Sequence, residues 1–196
     1  MDIKIIFATL ATAIAVLGSS IPYFRDIISK KTHPHSFTWL IWAITQGTAT
    51  AALWCGKGGF GVISPTIGTC SIIFIFLLSL RYGEKNITRS DIICLTVAIL
   101  AILVWWLLNN PLISVILVCL IDAIAFIPTF RKSYNHPWSE KLSAWEVGVI
   151  ASIFGILAIS NYNALTLPYL LMTLLSSIIF SLFLIIRRRK IPMVVK

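Results

Sequence analysis

Charge is scarce in this chain. Only 12% of its 196 residues are Asp, Glu, Lys or Arg, and just seven are acidic. A soluble domain carries roughly twice that share, so a water-covered surface is excluded. Polar linkers and low-complexity stretches are also missing, which leaves no room for a soluble domain. The four cysteines (Cys55, Cys70, Cys94, Cys119) lack metal-like spacing and read as small packing residues rather than a disulfide framework. His33-Pro34-His35 has no third or fourth ligand nearby, so a metal site is not expected. Nothing resembles a phosphate-cradling loop. No nucleophile–base pair or cofactor fingerprint stands out, and neither an enzyme nor a bound cofactor is expected.

What the chain has is apolar length. Hydrophobic residues make up 58% of it and the mean hydropathy is +0.93. A bilayer-crossing helix needs about 20 mostly apolar residues. Seven such runs can be read, near 3–24, 36–55, 59–81, 91–108, 111–130, 143–160 and 165–186. The +9 net charge then has to be read by position. Fourteen of the 16 Lys and Arg residues fall after the first, third, fifth and seventh runs, against Lys4 and Lys57 on the other side. By the positive-inside rule the N-terminus is outside and the C-terminus cytosolic, as expected in a bacterial inner (plasma) membrane. The basic balance therefore implies topology and anionic lipid at the cytosolic face, not nucleic acid. The first run carries its positive charge after the apolar stretch, unlike a cleaved secretory signal. Asn86-Ile87-Thr88 matches a glycosylation acceptor but falls on the cytosolic side of this topology.

Two stretches 106 residues apart nearly repeat each other. Ile21-Pro22-Tyr23-Phe24-Arg25 returns as Ile127-Pro128-Thr129-Phe130-Arg131, and Trp39 as Trp145. Ser71-Ile72-Ile73-Phe74 returns as Ser177-Ile178-Ile179-Phe180, and Leu78 and Arg81 as Leu184 and Arg187. Each copy spans three apolar runs, with the fourth run left between them. That odd crossing lets both copies enter the membrane in the same direction, as parallel repeats. The expected fold is all-α and integral to the membrane, with seven helices arranged 3+1+3. Residues 1–89 form the first repeat, 90–110 a linker helix, and 111–196 the second repeat with a basic cytosolic tail.

This arrangement, with a proline near the end of the first helix of each repeat, resembles the PQ-loop superfamily. That group includes SWEET sugar transporters, lysosomal amino-acid exporters, nicotinamide riboside transporters and KDEL receptors. Pro22, Lys31-Thr32, Ser36-Phe37 and Trp39 carry the resemblance in the first copy; Pro128, Ser143 and Trp145 carry it in the second. Tyr23 and Thr129 stand where the family has its naming glutamine. The resemblance implies a small-molecule transporter working by alternating access, by uniport or proton coupling. A receptor of the same fold is the alternative. The solute would be small and polar: a sugar, an amino acid or a vitamin-like compound. With both copies in one chain, a monomer or a homo-oligomer is expected.

Asp122 is the most unusual side chain for its place, midway along the fifth run. A carboxylate at the bilayer centre costs a few kcal/mol and usually faces a cavity or a partner. It is expected to bind a cationic group, carry a coupling proton, or bond a neighbouring hydroxyl. Thr45, Gln46, Thr48, Thr69 and Ser71 in the first copy lie at comparable depth, as do Ser152, Thr173, Ser176 and Ser177 in the second. They are expected either to line a polar cavity or to join helices as hydroxyl glue. Pro22 and Pro128 read as a pair of hinges or as helix ends. Arg25 and Arg131 read as gate residues pairing with Asp26, Glu140 or Glu146, or as interfacial anchors. Trp39, Trp42, Trp54 and Trp145 read as belt anchors near helix ends.

Overall fold

The structure is a computed structural model describing residues 2–84, 87–108 and 111–192; the Asn86 acceptor lies outside the described residues. Among these no strand occurs, and seven helices account for most of the chain. They are α1 (Ile3–Ile28), α2 (Ser36–Cys55), α3 (Ile63–Tyr82), α4 (Arg89–Leu108), α5 (Pro111–Asn135), α6 (Leu142–Leu157) and α7 (Leu167–Lys190). Short 3₁₀ turns at Gly59–Val62 and Pro137–Ser139 precede α3 and α6. Three of the helical runs are long and apolar enough to cross a membrane: Ile3–Ile28, Gly59–Tyr82 and Leu167–Lys190. Large apolar side chains face outward, among them Leu17, Ile93, Leu107, Ile116, Leu175 and Leu182. Water does not tolerate so wide an apolar surface, whereas lipid does.

The helices pack in matched pairs. α2 lies against α3 as α6 lies against α7, and α1 touches α3 as α5 touches α7. Between these groups, α1 crosses α6 and α2 crosses α5, while α4 runs along α5 and touches α2. One ring pair recurs at the sequence offset. Phe24 meets Phe74 edge-on at 4.9 Å, and Phe130 meets Phe180 edge-on at 5.0 Å.

Loops meet at both ends of the bundle. At one end, the His33 amide donates to the Ser139 carbonyl, and Lys132 Nζ to the His33 carbonyl. The end of α3 joins them through His33 Nδ1 and the Tyr82 carbonyl. At the other end, the Ser160 amide donates to the Gly58 carbonyl, and Asn163 Nδ2 to the Gly56 carbonyl. Here the backbones approach so closely that a side chain has no room. A Cβ on Gly61 would stand 2.8 Å from Ile159 Cα and 3.0 Å from its amide nitrogen. Gly61→Ala is therefore expected to lower stability by about 1–3 kcal/mol, read as an earlier thermal unfolding of the purified protein. An unchanged midpoint would mean the loops are not joined this way.

Of the two readings of the prolines, the structure removes the one that makes them helix ends. α1 and α5 run on past Pro22 and Pro128, to Ile28 and Asn135, so neither proline ends its helix. The repeat is also uneven here. Residues Ile14–Ser20, just before Pro22, wind as a π-helix, whereas the stretch before Pro128 stays α-helical. Proline has no N–H and its ring crowds the carbonyl four residues back, which for Pro22 is that of Gly18. A π turn re-registers the bonds around such a defect. Gly18 also packs tightly against α6, since a Cβ there would lie 2.6 Å from Val147 Cγ1.

Candidate functional site

The crossings of α1 with α6 and of α2 with α5 do not fill the space between them. A cavity of about 250 Å³ remains, walled by all the helices except α4. One face is built for emptiness. Ala144, Gly148, Ala151, Ser152 and Gly155 follow helical spacing along α6 and all line the cavity. Small residues usually let helices approach, but a Cβ on Gly148 or Gly155 would meet nothing within 4 Å. These glycines keep the space open. Gly148→Leu is expected to occupy the cavity and abolish ligand binding while leaving the unfolding midpoint unchanged or slightly higher, because glycine costs about 1 kcal/mol in a helix. A large loss of stability would show that the face is packed after all.

Asp122 lines this cavity and is 2% exposed. Thr45 Oγ1 donates to its Oδ1 at 2.7 Å, and the Tyr169 hydroxyl reaches the same oxygen at 3.5 Å. Both bonds converge on one oxygen, leaving Oδ2 for a ligand. Trp42 Nε1 reaches the Asp122 backbone carbonyl at 3.5 Å and ties α2 to α5. Burying a lone carboxylate is costly, and no cation pairs with Asp122 among the described residues.

The expected polar residues divide. Gln46, Ser71, Ser152, Thr173 and Ser177 join Asp122 on the cavity wall. Thr45 reaches the cavity only through Asp122. Thr69 does not line it. Its hydroxyl donates to the Pro65 carbonyl and meets Thr50 at 3.1 Å, as helix glue between α2 and α3. Thr48 is not on the wall either. Several wall hydroxyls have their protons committed. Ser71 donates to the Ile67 carbonyl, Ser152 to that of Gly148, and Thr173 to that of Tyr169.

Sequence reasoning missed the aromatic part. Trp39, Trp42 and Trp145, read as belt anchors, lie between the helix groups and line the cavity with Tyr23, Phe126 and Tyr169. All but the Tyr169 ring form a continuous cluster: Tyr23 to Trp39 at 5.5 Å, Trp39 to Trp42 at 5.1 Å, Trp42 to Phe126 at 4.6 Å, Trp42 to Trp145 at 5.8 Å. Trp54 alone fits the outward reading, being 61% exposed. Periodicity did hold a signal for the others: Trp39, Trp42 and Gln46 lie three and four apart, on one face of α2.

Below the aromatic cluster a polar latch closes the end where the basic loops gather. The Tyr23 hydroxyl donates to Glu140 Oε2 at 2.9 Å, and Glu140 pairs with Lys132 through its other oxygen. All three are nearly inaccessible. Lys141 pairs with Asp26 at 2.7 Å. Two of the three acids proposed from sequence for Arg25 and Arg131 thus pair with lysines, Glu140 with Lys132 and Asp26 with Lys141. Arg25 is exposed, and Arg131 stands beside Tyr134 and Phe183 at the edge of α5. The start of the basic tail is likewise not a loose charge cluster. Arg187 bonds the Tyr134 carbonyl and lies 3.7 Å from that tyrosine's ring centroid; Arg188 bonds the carbonyls of Pro137 and Glu140. These arginines strap α7 to the latch loop.

No family model, curated protein or solved structure matches this chain.

Proposed function

We propose that this protein is a membrane transporter for a small polar solute, working by alternating access as a uniporter or proton-coupled porter. The observation that carries the reading is Asp122, an acid without a cationic partner among the described residues, facing a cavity between two groups of helices. The groups are α1–α3 and α5–α7, read as parallel repeats of a duplicated three-helix unit with α4 as the linker. Support comes from the matched helix pairs, the recurring phenylalanine pair and the loops that meet at each end. All seven helices would cross a bacterial inner (plasma) membrane, N-terminus outside, with the basic end cytosolic and in contact with anionic lipid. The PQ-loop resemblance points the same way.

Each end has contacts that cross between the two groups and can break separately. On the cytosolic side these include Tyr23 with Glu140, Asp26 with Lys141, and His33 with Ser139 and Lys132. On the outer side they are Gly58 with Ser160 and Gly56 with Asn163. The Lys132–Glu140 pair lies within one group and stays intact whichever end opens. Pro22, with its π segment, and Pro128 are the hinge points. Counterflow of labelled solutes in sealed proteoliposomes tests the reading. Saturable exchange supports a porter; saturable binding without exchange across a broad solute panel would make it a receptor and overturn the proposal.

A further inference from the structure

The chemistry of the cavity wall narrows its ligand. Asp122 is the single charged residue among the described residues on the wall; no Lys, Arg or His stands there to meet a carboxylate or phosphate. Several of the wall's hydroxyl protons are already committed. Ser71, Ser152 and Thr173 have given their protons to backbone carbonyls, and Thr45 and Tyr169 have given theirs to Asp122. Gln46 Nε2 spends one N–H on the Pro65 carbonyl at 3.5 Å, which leaves its other N–H and its amide oxygen. Donors also remain in the hydroxyls of Ser20, Ser64 and Ser177 and in the Trp145 indole N–H, which is buried without a partner. One carboxylate and six aromatic residues, with no cationic side chain among the described residues of the wall, attract positive charge and repel anions.

We propose that the cavity binds a small organic monocation, its positive end held between the Asp122 carboxylate and the faces of the surrounding tryptophan and tyrosine rings. This rests on the transport reading for its purpose, but on the cavity wall alone for its chemistry. Size follows from volume. A cavity of about 150 Å³ holds a benzene molecule, so 250 Å³ suits a ligand of about ten non-hydrogen atoms. A quaternary ammonium carrying one hydroxyl fits: the ammonium meets the rings and Asp122, and the hydroxyl oxygen accepts from Trp145. Zwitterions and phosphate esters are disfavoured, because their anionic group would face Asp122 without a counter-charge.

The test uses matched probes on the purified full-length protein in lipid nanodiscs, with tryptophan quenching as the readout. Choline and tetramethylammonium carry the charge; 3,3-dimethylbutan-1-ol keeps choline's shape without it; glycine betaine adds a carboxylate. Choline is expected to bind about 10-fold or more tighter than the neutral alcohol and than betaine. Asp122→Asn, which keeps an oxygen for Thr45 and Tyr169, is expected to erase that advantage. Equal binding of choline and the alcohol by the wild type, or no saturable binding of either cation, overturns the proposal. An unchanged preference in a folded Asn variant overturns it as well. Charge-selective binding without flux in vesicles would sink the transport reading alone. Flux of neutral solutes without cation preference would sink this inference alone.

Discussion

Replacing Asp122 with asparagine is expected to cut cation uptake into proteoliposomes by on the order of 100-fold and to remove any drive from a pH gradient. The magnitude follows from what a desolvated charge pair is worth when one partner is lost, about 2–5 kcal/mol. The fold is expected to survive, because asparagine Oδ1 still accepts from Thr45 and Tyr169, the two bonds that hold the carboxyl. Initial rates are measured with and without an imposed gradient, alongside the elution profile of the variant. Wild-type rates and an unaltered gradient response would remove Asp122 from the mechanism.

The largest loss of stability is expected at the latch. Glu140→Ala leaves Lys132, only 5% exposed, without its carboxylate and strips Tyr23 of its acceptor. Breaking one side of a buried pair costs about 3–5 kcal/mol, whereas replacing both partners by apolar groups is often nearly neutral. The single variant should therefore unfold at a much lower temperature, and adding Lys132→Met should recover most of the loss. Additive damage in the double variant would show that the two residues do not act as a pair. In vesicles, the single variant should also favour the state open to the cytosol, since the Tyr23–Glu140 contact crosses between the helix groups.

Much of this arrangement can be read from the chain before any coordinates. Apolar runs placed all seven helices, α2 to the residue, and Asp122 stood out because a carboxylate in mid-membrane needs a reason. Helix ends were harder. α1 and α5 overran their expected limits by about a turn, because Arg25, Asp26 and Lys132 end an apolar run without ending a helix. The π turn before Pro22 was hidden, since its twin Pro128 shares the Ile-Pro-x-Phe-Arg stretch yet sits in an ordinary α-helix.

The candidate site was legible only in its polar half. A hydroxyl's type does not reveal whether it faces a void or a neighbouring helix, which is why Thr69 and Thr48 were grouped with Ser71 and Thr173. Tryptophans near helix ends suit both a lipid interface and a cavity floor, and only the packing of α2 against α5 decides between them for Trp42. The lysines of the latch were obscured by the repeat itself. Matching Arg25 with Arg131 drew attention to the symmetric pair, while Glu140 and Asp26 are held by Lys132 and Lys141, whose repeat counterparts are Asp26 and His35.

The central claim is that two like-oriented groups of three helices enclose the cavity. Single-cysteine labelling in intact cells tests it, with the native cysteines replaced by serine. Lys30→Cys and Asn135→Cys should both be shielded from an impermeant maleimide, while Lys57→Cys and Asn161→Cys should both react from outside. Labelling that puts Lys30 and Asn135 on opposite faces of the membrane would contradict the account.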